Sequence, residues 1–194
     1  AAVLVDTKGE PMALPSEGGH VDFSPADEEQ VRLWRYLRKQ YGHVSIERIV
    51  SGPGLVSIYS WLKTSRRHKE PRWLRERIKQ MDPARAITET AKREKDPLCA
   101  KTVELFLSIF GAVSGDFALI AFATGGVYLA GGVPPKLREE LRTGPFMTAF
   151  VDKGRFKGFL EKIPVRVILN ERAALLGAAC KAVRLAEKAG GRIS

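Results

Sequence analysis

Gly125-Gly126-Val127-Tyr128-Leu129-Ala130-Gly131-Gly132 is a short apolar run with paired glycines at both ends, and its reading decides the fold class. A bounded run of this kind reads as a buried strand. Upstream, between Pro97 and about Ala123, Val103, Phe106, Leu107 and Phe110 keep the i, i+3, i+4, i+7 spacing of a helix face. That stretch is too apolar for a surface helix. It is expected to be one long helix, or two in tandem, crossing the core beside a sheet and broken or closely packed near Gly111 and Gly115. Downstream, Pro134 and Pro135 start a helix carrying Leu137 and Leu141. Val165-Arg166-Val167-Ile168-Leu169 forms a second strand, and a final helix runs from Ala173 to Lys188. Helices interleaved with short buried strands make the chain α/β or α+β.

Towards the N-terminus, alternation at Val3 and Val5 followed by Lys8-Gly9-Glu10-Pro11 predicts a strand and a turn leading into Glu17-Gly18-Gly19-His20. Ser24-Pro25-Ala26-Asp27-Glu28-Glu29 predicts a helix start capped by Ser24, with Val31, Trp34, Leu37 and Tyr41 on one face and Gly42 as the stop. Ser51-Gly52-Pro53-Gly54 caps and opens a further helix through Leu55, Ile58 and Leu62. Glu17, His20 and Glu47 are the candidate chemistry. Two carboxylates and an imidazole beside glycines suit a ligand rich in hydroxyls, since each carboxylate accepts from two hydroxyls and the ring donates from one nitrogen. On these residues alone two plainer readings stay open: His20 serving a buried backbone group, and Glu47 as a surface helix acid.

With 194 residues, 44% of them hydrophobic, the chain can form one sizeable domain or one and a half. No run of about 18 apolar residues occurs and Ala1 to Val5 is too short for a signal-peptide core, so neither a membrane span nor secretion is expected and the default location is the cytoplasm. Cys99 and Cys180, without a Cys-x-x-Cys pair, are expected to be reduced and structural, with no disulfide framework and no thiolate zinc site. The net charge is +10, and the stretch Lys63 to Gln80 holds eight basic residues (Lys63, Arg66, Arg67, Lys69, Arg72, Arg75, Arg77, Lys79) against Glu70 and Glu76. Such a run reads first as a solvated helical face; a basic helix meeting DNA or an acidic partner is the other reading. The chain opens on Ala1 without an initiating methionine and is expected to be a piece of a longer protein.

Taken in order, several blocks carry a resemblance. They are Glu17-Gly18-Gly19-His20-Val21-Asp22-Phe23, His43-Val44-Ser45-Ile46-Glu47, Ser51-Gly52-Pro53-Gly54-Leu55 and Thr124-Gly125-Gly126-Val127-Tyr128-Leu129-Ala130-Gly131-Gly132. Asp152-Lys153-Gly154-Arg155-Phe156, Ile163-Pro164-Val165 and Leu175-Leu176-Gly177 continue the series. Together they resemble the bacterial glucokinase family, sugar kinases of the actin and hexokinase superfamily.

The resemblance implies a ribonuclease-H-like, actin-like ATPase fold, here mainly the larger C-terminal domain of a two-domain sugar kinase. Residues 1–169 would be the α/β domain, and residues 170–194 a connecting helix that packs on a small N-terminal domain. It implies that Glu17, His20 and Glu47 bind glucose and that Gly131 and Gly132 lie against the adenosine of ATP. Gly125 and Gly126 are then turn and packing glycines, and Gly52 and Gly54 shape the loop that presents Glu47.

The implied activity is cytoplasmic, ATP-dependent phosphorylation of glucose to glucose 6-phosphate, the first step of glycolysis, by a homodimer. Mg²⁺ would be carried with ATP, with no structural zinc. The family's first phosphate loop, its second glycine-threonine-glycine segment and its catalytic aspartate lie upstream of the position matched by Ala1. No catalytic residue is therefore expected here, and this chain alone is expected not to turn over. A kinase for another hexose is the near alternative; a non-catalytic sugar-responsive or nucleic-acid-binding module is the distant one. Without its partner domain the final helix would leave Leu175, Leu176, Ala179, Val183 and Leu185 short of burial, so self-association, domain swapping or C-terminal disorder is expected.

Overall fold

The computed structural model describes residues 2–7, 10–64, 69–94, 96–142, 144–170 and 172–188. A hairpin leads the chain: β1 (Ala2–Thr7) pairs antiparallel with β2 (Glu10–Pro15), Val3 opposite Leu14 and Val5 opposite Met12. Glu10 and Pro11, expected in the turn, begin the second strand; Lys8 and Gly9 lie outside the described residues. Helix α1 (Glu28–Tyr41) starts later than expected. Asp27, not Ser24, is its cap, because the Asp27 carboxylate accepts the Gln30 amide at 2.8 Å while the Gln30 side chain accepts the Ala26 amide at 3.1 Å. This reciprocal pair satisfies two free amides at once, which Ser24 could not do from its position. Gly42 ends the helix at φ +71°, its amide donating to Arg38 O.

Helix α2 (Gly52–Thr64) opens as expected, Ser51 Oγ accepting the Gly54 amide at 3.0 Å. Helices α3 (Arg72–Gln80) and α4 (Pro83–Arg93) follow, and then α5 (Pro97–Ile120), a single unbroken helix of 24 residues capped by Asp96. After α5 come β3 (Val127–Leu129), a 3-10 turn at Pro134–Leu137, and helices α6 (Arg138–Arg142) and α7 (Pro145–Val151). A 3-10 turn at Gly154–Phe156, helix α8 (Lys157–Leu160), β4 (Val165–Val167) and α9 (Ala173–Lys188) complete the order. Strands β3 and β4 are parallel, Val127 opposite Val165 and Leu129 opposite Val167. The mixture of helices and short strands is the expected class, although β4 stops at Val167 rather than Leu169.

Helix α5 crosses the core, but it packs mainly against α2, α4 and α7 and not beside a sheet. Its length and hydropathy would let it span a membrane, yet thirteen of its residues are buried in this packing, as a core helix requires. Gly111 and Gly115 mark a close approach instead of a break. A Cβ at Gly111 would lie 2.0 Å from Phe146 O, and one at Gly115 would lie 2.4 Å from Phe150 O. The α7 backbone therefore rests directly on α5, with Phe110, Phe146 and Phe150 filling the seam.

The basic run is ordered around a buried acid. Arg66 and Arg67 lie outside the described residues, but Glu70, only 6% exposed, accepts from Arg75 Nε at 2.7 Å, Tyr59 Oη at 3.0 Å and Lys63 Nζ at 3.3 Å. Arg77 of α3 pairs with Glu89 of α4 at 3.2 Å and also with Glu94, and Lys79 faces Glu76 at 3.6 Å. The contacts of Glu70 and Arg77 fasten α3 to α2 and α4, while Lys63, Lys69, Arg72, Arg75 and Lys79 stay exposed, as a solvated helical face requires. Burial acts to raise the Glu70 carboxyl, but the bonds from Arg75, Tyr59 and Lys63 outweigh it and hold the group below its ordinary range. The Tyr59 phenol is pushed up by burial and by Glu70. Cys99 is buried, its thiol pushed up by burial and then by Asp96, whereas Cys180 is exposed; neither is in a disulfide.

Two outcomes follow from this packing. Gly111→Ala should destabilise the chain by about 2 to 3 kcal/mol, because α7 has to move away from α5; a urea unfolding midpoint equal to wild type would show that the close approach is absent. Glu70→Gln should cost about 1 to 3 kcal/mol at neutral pH. Since the folded carboxyl titrates below its unfolded value of about 4.5, the stabilisation is complete above that pH and is lost as pH falls through the folded value. Acid unfolding curves should thus be shallower for the variant than for wild type.

Candidate functional site

Two 3-10 turns, Gly18–His20 and Ile46–Arg48, form the candidate site. They are distant in sequence and are tied together by backbone. Phe23 N donates to Val44 O at 3.0 Å, Ile46 N donates to Val21 O at 3.0 Å, and Asp22 and Ser45 form an isolated antiparallel bridge. Phe23, Val44, Ser45 and Ile49 are buried beneath this junction and anchor it. Gly18 lies against the end of α5, where a Cβ would come within 2.9 Å of the Phe117 ring, and its amide donates to Ser16 Oγ at 3.0 Å.

This arrangement brings all three predicted residues together. His20 Nδ1 is 3.4 Å from Glu17 Oε2, and His20 Nε2 is 3.4 Å from Glu47 Oε2. The side chains are open to solvent, 92% for Glu17, 66% for His20 and 60% for Glu47, so His20 does not serve a buried backbone group. At 3.4 Å the contacts are longer than the usual hydrogen-bond range of about 2.7 to 3.2 Å. Both carboxylates therefore keep lone pairs for other donors. A ring flanked by acceptors on both nitrogens donates to both only as imidazolium; when neutral it donates to one and presents a lone pair on the other side. The group as a whole can take up several hydroxyls that both donate and accept.

Gly131 and Gly132 follow β3 and are exposed, Gly131 at φ +104°. They line one side of a depression of about 280 Å³ whose other wall is Val50, Ser51 and Gly52, with Phe106 and Phe110 among the lining residues. Gly52, read from the sequence as a loop-shaping residue, thus faces the same space. Val50, Ser51 and Phe110 were not anticipated there, and no local motif marks them. The residues lining the depression are uncharged. Backbone-lined, largely apolar walls of this kind fit a flat heterocycle and its sugar. Gly126, at φ +116° and with Pro164 O 2.8 Å from where a Cβ would be, is a turn and packing glycine. Among the described residues no group of three or more His, Cys, Asp or Glu is arranged to hold a metal. A larger cavity of about 400 Å³ between β4 and α6–α7 contains none of the predicted residues.

Comparison with known proteins gives the family. The glucokinase family model matches residues 1–185. The chain is 43% identical over 173 residues to the glucokinase of Campylobacter jejuni subsp. doylei, covering 88% of this chain and 49% of that protein. It is 40% identical over 168 residues to the glucokinase of Neisseria meningitidis serogroup C, covering 87% and 48% respectively. Among solved structures, glucokinase from an Antarctic psychrotroph aligns with a TM-score of 0.76 at 29% identity, over 92% of this chain and 52% of that one. Glucokinase from Balamuthia mandrillaris, solved in complex with glucose, aligns with a TM-score of 0.69 at 26% identity, over 84% and 45%. The chain spans about half the length of the curated relatives it matches. The fold is that of an α/β sugar kinase, and with the family's pattern running through residues 1–185 the chain belongs to the glucokinase family.

Proposed function

We propose that the protein carrying this chain is an ATP-dependent glucose kinase, acting in the cytoplasm at the first step of glycolysis and transferring the γ-phosphoryl group to the sugar 6-hydroxyl. The observation that carries this reading is the convergence of Glu17, His20 and Glu47 on one exposed surface. Carboxylates there accept from neighbouring hydroxyls through charge-assisted bonds, and His20 supplies the donor. The depression at Gly131 and Gly132 receives adenosine, with Ser51 and Gly52 as its opposite wall. ATP brings Mg²⁺, which would neutralise phosphate charge during transfer. The catalytic base and phosphate loops belong to sequence outside this chain, so the chain alone binds sugar without turning it over.

Nucleic-acid binding through the basic run is disfavoured, because Lys63, Arg75, Arg77 and Lys79 already have acidic partners. The complete protein is a homodimer on this reading. Residues 1–169 form its large domain, and residues 170–194 return to a domain supplied by the rest of the protein. Exposure of Leu175, Leu176, Val183 and Leu185 on α9 supports that assignment.

Two measurements test the reading. Calorimetric titration of the chain should show glucose binding that exceeds mannose binding, and a Glu17→Gln, Glu47→Gln double variant should weaken it by about tenfold or more. Absence of binding even after an N-terminal kinase domain is restored would overturn the glucose assignment; preference for mannose would redirect it to another hexose. Sedimentation of the chain alone should show self-association that rises with concentration. A monomer at high concentration, with α9 amides well protected from exchange, would remove the case for a missing partner domain.

A further inference from the structure

We infer that Asp22 and His43 form a clasp that positions the sugar-gripping residues; the inference rests on the sugar-site reading above. His43 Nε2 lies 2.8 Å from Asp22 Oδ1. An ionised carboxylate only accepts, so Nε2 carries the hydrogen and His43 donates. The bond joins the two segments whose separation sets the His20 to Glu47 contact. Asp22 lies just beyond His20, and His43 just before the turn that carries Glu47.

The junction has little else to hold it on the solvent side. No regular sheet joins the segments, only one isolated bridge and the backbone bonds made by Phe23 and Ile46. Among the described residues, the polar side-chain contacts between the two segments are Asp22 to His43 and His20 to Glu47. Arg48 stacks over Tyr41 at 4.5 Å and braces the second segment within itself, not against the first. Among the described residues, the clasp is thus the polar side-chain cross-link between these segments that remains when a ligand takes the donors and acceptors of His20 and Glu47.

Both clasp side chains are exposed, so their pairing contributes little to global unfolding. Its effect falls on the local geometry of the two turns. When the clasp opens, the buried anchors and the backbone bonds still join the segments, but the exposed turns above them loosen, and the carboxylate of Glu47 moves relative to the ring of His20. Asp22 and His43 are positioning residues on this account and need not touch the sugar.

Four variants of the 194-residue chain test this: Asp22→Ala, His43→Ala, the two combined, and the exchanged pair Asp22→His with His43→Asp. Each single change should weaken glucose binding by about two- to fivefold, the fold-change that the strength of an exposed pair allows. The combination should be no weaker than the worse single variant, and the exchanged pair should recover most of the loss. Amide exchange at Phe23 and Ile46 should accelerate in the single variants while the unfolding midpoint stays put. Unchanged exchange, or losses that add and are not recovered by the exchanged pair, would overturn the clasp. Exchange is read without ligand. Accelerated exchange in a chain that binds no glucose in any form would uphold the clasp as a structural link and overturn the sugar site it was inferred to serve.

Discussion

The backbone of α7 lies on α5 at Gly111 and Gly115, and the rest of the molecule is arranged around that contact. A helix that accepts another at backbone distance has to be buried on that side, which explains why α5 is apolar along most of its length. The same helix supports both parts of the candidate site. Phe106 and Phe110 lie at the depression below Gly131 and Gly132, and Phe110 meets Phe146 edge-on at 5.3 Å. Two turns further along, Phe117 lies under Gly18. At 1.5 Å per residue, the two supports are about 10 Å apart along a single rigid rod. The spacing between the Glu17, His20 and Glu47 group and the depression at Gly131 and Gly132 is a property of α5.

The grip itself is built differently. Its anchors, Phe23, Val44 and Ile49, are buried, but its working groups stand in solvent on short turns with few backbone bonds. Apolar burial fixes where the junction sits, while weak polar contacts set the spacing of the acids above it.

Much of the fold could be read from periodicity. The face of α5, the extent of α9 and the stop at Gly42 all appear in the residue pattern, because each depends on neighbours within a few positions. The start of α1 is not legible locally because Ser24 and Asp27 are both good caps, and only the side chain of Gln30, folding back to Ala26, favours the second. What α5 packs against was not legible: an apolar stripe looks the same whether it meets a sheet or three helices. Arg77 gave no sign of joining Glu89 and Glu94, since that pairing depends on how α3 and α4 are laid side by side. In the site, Glu17, His20 and Glu47 stood out through residue type and family resemblance, whereas the wall made by Val50 and Ser51 is formed only by tertiary approach.

The long ion contacts at His20 bear on how binding energy would arise. In the free chain the ring faces two carboxylates at 3.4 Å, a separation at which neither contact is strong. These acids are already hydrated, so a sugar hydroxyl gains only by making shorter, better-aligned bonds than water does. Such a gain depends on acids that do not have to be moved to meet the ligand, because every side chain immobilised on binding takes back part of it. Rigidity delivered from below by Phe23, Val44 and Phe117, and from the side by the bond between Asp22 and His43, is therefore the condition under which three exposed polar groups can select one arrangement of hydroxyls.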